Sequence, residues 1–354
     1  MSKMITPAQA ETLCAWYRKN KRQLPWRDTG DPYDVWLSEI MLQQTRIEAV
    51  RDKFIAFRKE LPDIACLAAC DDDRLMRLWE GLGYYSRVRN LKKCAQAVME
   101  KHGGKLPDSK DELLKLPGIG PYTAGAIASI AYAKPEPAVD GNVLRILARI
   151  AGCRDDIREE STKMNLAEML DEAYAPVVNA SDLTQALMEL GQTVCVPNGV
   201  PKCDMCPWSS FCNAHLNNET AQIPYRSRLK ERKIEQRTLL VIRDGNRFLL
   251  HKRSAKGLLA GLYEFYGLNG WLSEKEILKA VSDLGFTPLR IHPLPESKHI
   301  FTHLEWHMKA YEIMCEECSV LPDDSFLLAE KKELQFLAVP SAFRTYTDWY
   351  SLRD

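Results

Sequence analysis

The chain has 354 residues, 45% of them hydrophobic and 27% charged, and its 48 basic side chains balance 48 acidic ones. This composition excludes a disordered polypeptide and leaves room for two cores, at roughly 100–200 residues per domain. Zero net charge neither marks nor excludes a nucleic-acid partner, because a neutral chain can still carry a basic face. The N-terminus lacks an apolar leader region, and the longest apolar stretch, 124–133, is too short to span a bilayer. A soluble, cytoplasmic protein with no membrane attachment is expected.

From residue 6 to about 190 the pattern is helix after helix. Thr6-Pro7-Ala8-Gln9 signals the first: Thr as N-cap, Pro in the first turn, Gln in the capping-box position. Residues 35–49 follow as an amphipathic helix whose apolar residues are Val35, Trp36, Ile40, Leu42 and Ile47. Helical runs are expected at 74–80, 86–101, 110–116, 122–133 and 142–151. The texture changes near 213. Residues 225–237 set Arg226, Arg228, Lys230, Arg232, Lys233 and Arg237 against Glu231 and Glu235, and read as a linker. Strand-like runs come next, at 238–242, 247–252 and 300–313, with Asp244-Gly245-Asn246 as a hairpin turn and one helix at 273–284. The fold class is a mainly α N-terminal domain followed by an α+β domain.

Eleven cysteines in an intracellular chain do not suggest a disulfide framework. Four of them form Cys195-x7-Cys203-x2-Cys206-x5-Cys212. Thiolates this dense suit zinc or an iron–sulfur cluster. Zinc sites usually pair two short arms, whereas one short arm exists here, so the uneven spacing favours iron and sulfur. Lys202, between Pro201 and Cys203, offers a cation for a phosphate. The pair Cys315 and Cys318 has no partner arm and reads as buried thiols.

Residues 116–126, LPGIGPYTAGA, form a hairpin between two helical runs. Gly118 and Gly120 permit positive φ, so their backbone N–H groups can converge on an anion such as a DNA phosphate. Asp140 follows Pro137-Ala138-Val139 and precedes Gly141-Asn142, a helix start. A capping carboxylate stays ionised and can face a cation forming beside it. Glu39 lies among large apolar residues, where partial burial would raise its pKa and make it a general acid.

These residues look like a family. LPGIGPYTAGAI, then PAVDGN, then the four cysteines, resemble the helix–hairpin–helix glycosylases of the endonuclease III superfamily. VWLSEIMLQQT, LWEGLGYYSRVRNL, QALMELGQTVC and GLLAGLYEFYG narrow the resemblance to the adenine DNA glycosylases (MutY family). It implies a helix–hairpin–helix domain at 1–215 with its iron–sulfur loop at 195–212, a basic linker at 216–236 open to repair-protein contacts, and a MutT/Nudix-like lesion-recognition domain at 237–354. It further implies a monomer that acts on double-stranded DNA carrying adenine opposite 8-oxoguanine or guanine, flips the adenine and hydrolyses its glycosidic bond.

Carried over residue by residue, Glu39 would protonate N7 of adenine and help activate water. Asp140 would stabilise the sugar cation, and Tyr122 would line the pocket. Trp26, Arg27 and Glu189 match positions around the adenine. Gln44 and Tyr84 match the wedge, Thr45 and Leu82 approach the opposite base, and Phe301-Thr302-His303 matches the loop that reads the lesion. Cys195, Cys203, Cys206 and Cys212 would hold a 4Fe–4S cluster. The bifunctional lyases have lysine where Tyr122 stands, so no Schiff base is expected and the enzyme reads as monofunctional. Relatives usually show x6 where the first cysteine spacing here is x7. In the second domain only Asp283 is acidic in the 278–285 stretch, so a fold kept for binding, without Nudix hydrolysis, is expected. The rival readings are a related glycosylase of other specificity and a non-catalytic iron–sulfur DNA-binding or redox-sensing protein.

Overall fold

The computed structural model describes residues 4–175, 178–227, 231–318, 320–334 and 336–351. The chain divides into two compact units, Met1–Cys70 with Arg89–Arg228, and Asp71–Val88 with Leu229–Asp354. Among the described residues no helix is long and apolar enough to cross a membrane.

The first unit is helical. α1 (Pro7–Asn20) starts with the expected capping box between Thr6 and Gln9. α2 (Pro32–Leu42) is capped by Asp31 and buried from Tyr33 through Met41, so it is a core helix with no solvated stripe. The expected single helix over 35–49 is therefore two. The chain turns at Gln44, whose φ is 57°, and resumes as α3 (Ile47–Glu60). α4 (Ile64–Ala69), α6 (Ser86–His102) and α7 (Lys110–Leu114) follow, while α5 (Asp72–Leu78), between α4 and α6 in the chain, groups with the second unit. α8 (Pro121–Ala126) passes into a π-helical turn, Ile127–Ala131, in place of the continuous helix expected to 133. Ser129 Oγ, in that turn, donates to the Gly125 carbonyl at 2.7 Å.

α9 (Gly141–Ala151) is capped by Asp140 and closed by Gly152 in the left-handed conformation. α10 (Glu160–Ala167), α11 (Ala180–Thr193) and α12 (Asn213–Leu216) complete the unit. Its core joins α1, α9 and α11 with Trp208 and Ile223. The indole of Trp208 donates to the Gln9 carbonyl at 2.8 Å, which ties the cysteine loop to α1. Much of the expected 216–236 linker is packed structure. Ile223 is buried, Ile157 N–H bonds the Tyr225 carbonyl, and Ser227 N–H bonds Asp156. Of the linker's basic residues, Arg228 and Lys230 lie outside the described residues.

The second unit is built on one mixed sheet. Its strands are β1 (Lys233–Asp244), β2 (Arg247–Lys252), β3 (Tyr263–Glu264), β4 (Tyr266–Asn269), β5 (Pro288–Ile300), β6 (Leu304–Cys315) and β7 (Phe326–Glu330). The order is β3-β2-β1-β6-β5, with β4 on β1 and β7 on β2; β1 and β6 run parallel and the other pairs antiparallel. Period-two alternation buries both faces. Leu239 and Val241 face Phe343 and Tyr346 on one side, while Leu240 and Ile242 face Ile277 and Val281 of α13 (Glu274–Asp283) on the other. The expected run at 300–313 resolves into β5, a turn at 301–303, and β6. Segment 71–88, expected with the first domain, belongs here: Lys252 pairs with Asp73 at 3.2 Å, and Tyr84 reaches Thr302.

Candidate active site

α2, α8 and α9 of the first unit bring three functional side chains together. Glu39 is 6% exposed, and its Oε2 accepts a 2.6 Å hydrogen bond from the Tyr122 hydroxyl. Burial pushes the Glu39 carboxyl up to about 7; the Tyr122 bond opposes this, the nearby Asp140 adds to it, and Arg27 opposes it. Burial and the two carboxylates raise the Tyr122 phenol well above its usual value, so it stays protonated and donates. Asp140 is held by the N-terminus of α9: Oδ1 accepts from the backbone N–H groups of Asn142 and Val143, both at 2.8 Å, and Oδ2 from the Asn142 side chain at 2.7 Å. The result is one carboxyl poised to give a proton beside another fixed in place by three N–H donors.

A pocket opens beside Glu39, lined also by Trp26, Arg27, Ser38, Gln185, Met188 and Gln192. Trp26 is fixed edge-on to Phe54, ring centres 5.3 Å apart. Glu189 is fully buried; burial alone would raise its pKa, yet Arg22 and Arg27 hold it below the usual carboxylate range. Its two oxygens accept from Arg22 Nε and an Arg27 terminal nitrogen, each at 2.6 Å, so Glu189 positions Arg27. Sequence reasoning missed Arg22, Ser38, Gln185, Met188 and Gln192. The signal was available for three of them: 185, 188 and 192 share one face of α11 at helical spacing.

The hairpin at 116–120 uses positive φ at one glycine, not two. Gly118 has φ +77°, and a Cβ there would lie 2.7 Å from Asn90 Cβ. Gly120 has φ −96° and acts as the N-cap of α8.

The four cysteines gather at the other end of α9. Burial raises the Cys206 thiol to about 12, and Cys195, Cys203 and Cys212 push it the same way once the opposing Trp208 backbone bond is allowed for. Mutual repulsion also reaches Cys203 and Cys212. Four thiols that sense one another in a half-buried loop fit a cationic centre that would neutralise them. Among the described residues no group of three or more histidine, cysteine or carboxylate side chains is arranged to hold a metal ion. Two buried arginines, one turn apart on α9, fasten the loop. Arg145 bonds the Cys195 and Gly191 carbonyls at 2.8 and 2.7 Å, and Arg149 donates to Cys195 Sγ at 3.1 Å.

Residues 37–172 match the family model described as HhH-GPD superfamily base excision DNA repair protein, and residues 237–349 match the NUDIX domain model. An adenine DNA glycosylase of Buchnera aphidicola subsp. Baizongia pistaciae is 32% identical over 91% of this chain and 90% of its own length. The chain belongs to the adenine DNA glycosylase family. It is a base-excision glycosylase, a hydrolase of N-glycosyl bonds. The adenine DNA glycosylase of Rattus norvegicus is also 32% identical, over 95% of this chain and 77% of its own. A solved thermostable thymine-DNA glycosylase covers 59% of this chain and 96% of its own, with TM-score 0.52 and 26% identity.

The remaining positions expected of an adenine DNA glycosylase fall in both units. In the first, Gln44 is exposed at its left-handed turn, and Thr45 N–H bonds the Leu42 carbonyl. In the second, Tyr84 is 48% exposed with φ 47°, and its hydroxyl lies 2.9 Å from Thr302 Oγ1. Leu82 is buried, its carbonyl held by Arg87. Thr302 and His303 are exposed at the β5–β6 turn, but Phe301 is packed edge-on between His299 and Trp306, at 4.6 and 4.9 Å. Phe301 therefore anchors the turn to its own core. Of the acidic groups on α13, Glu276 is engaged with the Ser273 cap.

Proposed function

We propose that this chain is a monofunctional glycosylase that removes adenine paired with 8-oxoguanine or guanine in duplex DNA. The observation that carries the reading is the Tyr122–Glu39 hydrogen bond beside Asp140, with a phenol where a lyase would need an amine. The neutral Glu39 carboxyl gives its proton to N7 of the flipped base. The C1′–N9 bond breaks with its electron pair leaving on the purine. Asp140 faces the sugar cation, and water, giving a proton to the Glu39 carboxylate, adds to C1′. Backbone N–H groups of the 116–120 hairpin meet a DNA phosphate, Trp26 and Arg27 border the base, and Gln44 enters the gap; Tyr84 keeps the wedge role that the resemblance gives it.

Cys195, Cys203, Cys206 and Cys212 are the residues to hold a 4Fe–4S cluster, which would brace the loop through four bonds. Arg149 stabilises the charge on Cys195, and Lys202 supplies a cation toward DNA. Thr302 and His303 read the base opposite adenine, a role the family resemblance also gives separately to Thr45.

The test is single-turnover base release from duplexes with adenine opposite 8-oxoguanine, guanine or thymine, with borohydride present in parallel. Release from the first two, no strand cleavage before alkali and no trapped adduct are expected. Release of a different base, or efficient trapping, overturns the reading.

A further inference from the structure

Asp140 owes its position to the segment before it and the helix turn after it, and a glycine from a different helix presses on each. On α8, a Cβ added to Gly125 would lie 2.4 Å from the Pro137 carbonyl oxygen and 3.2 Å from Ala138 Cα. Those atoms are backbone, so no side-chain rotation relieves the overlap. On α11, a Cβ added to Gly191 would lie 2.8 Å from Asn142 Cβ. Carbon atoms ordinarily approach to about 3.5–4.0 Å, so Asn142 would have to retreat by roughly 0.7 Å. Neither glycine has positive φ, so backbone freedom does not explain the residue type; close approach does.

We propose that Gly125 and Gly191 are positioning residues for the glycosylase reaction, two missing side chains that seat the Asp140 turn between α8 and α11. Gly125 sits one turn after Tyr122, the residue bonded to Glu39, so the approach it allows sets the spacing of the acid from the anion. Gly191 admits Asn142, whose amide holds Asp140 Oδ2 at 2.7 Å. Misplacement by about 1 Å at a reacting centre can cost on the order of a hundredfold in rate.

The proposal rests on adenine excision being the reaction, which the wild-type chain tests first: no release from an adenine–guanine duplex removes the reading itself. Given release, Gly191→Ala should lower the single-turnover rate roughly tenfold to a hundredfold, while the dissociation constant for the same duplex changes less than about twofold. Asn142→Gly is slow on its own, since it loses the amide, but it also removes the atom that the added methyl group would strike. In that background Gly191→Ala should cost nothing further, a non-additivity that general destabilisation would not produce. Gly125→Ala should slow excision as well, and Asn142→Gly should not rescue it. If Gly125→Ala fails to fold, the Gly191 cycle alone decides. Equal losses from Gly191→Ala with and without Asn142, or excision at the wild-type rate in either alanine variant, would overturn the assignment.

Discussion

The Tyr122 hydroxyl donates to Oε2 of Glu39 at 2.6 Å, and this bond stabilises the ionised carboxylate against the burial that disfavours it. Removing it in Tyr122→Phe should raise the Glu39 pKa above about 7. The acid then stays protonated to higher pH. The alkaline limb of the single-turnover pH profile should move upward, while the plateau falls by about tenfold because the carboxyl is less well oriented. An unmoved limb, or one displaced to lower pH, would show that Glu39 is not the titrating acid.

The same raised pKa makes a stability claim. A carboxyl whose folded-state pKa lies above its unfolded value contributes stability that is complete below about 4.5 and lost as pH rises through about 7. Glu39→Gln should therefore abolish excision yet raise the melting temperature, more at pH 8 than at pH 5. The gain at the higher pH is bounded by about 3 kcal/mol, the free-energy equivalent of the shift. Equal melting curves at both pH values would contradict the burial argument.

Asp140→Asn separates capping from charge. Asparagine caps a helix about as well as aspartate, so thermal stability should change by less than about 1 kcal/mol. Excision should fall about a thousandfold or more, because the sugar cation loses its counter-charge. Single-turnover release within tenfold of wild type would remove Asp140 from the mechanism.

The residues proposed to carry chemistry could be singled out in the sequence because each belongs to a short local pattern. Asp140 announced itself by its Pro137-Ala138-Val139 approach and Asn142, and the structure caps α9 with it. The break at Gln44 was not legible, because the apolar positions of α2 and α3 continue one periodicity across it. Nor was the attachment of 71–88 to the second unit: the Lys252–Asp73 and Tyr84–Thr302 contacts join residues far apart in sequence, and no periodicity records such pairs. Arg22 and Gln192 were hidden for the same reason, being polar residues whose meaning comes from Glu189 and the pocket. The packing of Phe301 against His299 and Trp306 was not legible either, because an exposed turn and a core anchor look alike in one dimension.

Arg145 links the cysteine loop to the Asp140 carboxylate. It donates to the Cys195 carbonyl and, at 2.9 Å, to Asn142 Oδ1, whose amide holds Asp140. Arg145→Leu strands three acceptors in a buried place, at about 1–3 kcal/mol for an unsatisfied group. The melting temperature and the excision rate should fall and, if the proposed cluster is held there, so should the iron bound per chain. Arg145→Lys should not restore them, since an ammonium cannot reproduce the planar fork. Full iron content with full activity in Arg145→Leu would refute the link.

Reading of the opposite base is best tested at His303. Deleting residues 237–354 would also strip Tyr84 of its Thr302 contact and Asp73 of Lys252, so lost discrimination would have two causes. Phe301→Ala would hollow the core around Trp306, and Thr302→Val would free Tyr84 as well as remove a hydroxyl. His303 is exposed at the turn, where an imidazole can meet a base edge and its truncation leaves the sheet intact. Losing one or two hydrogen bonds to the lesion should cost about 1–3 kcal/mol, a tenfold to hundredfold fall in preference for adenine opposite 8-oxoguanine over adenine opposite guanine. Both affinities must be measured at one salt concentration, because phosphate contacts weaken with salt regardless of sequence. If His303 meets a phosphate instead, His303→Ala weakens both complexes equally. An unchanged ratio would then shift the reading of the opposite base to Thr45 and to the turn's hydroxyl at Thr302.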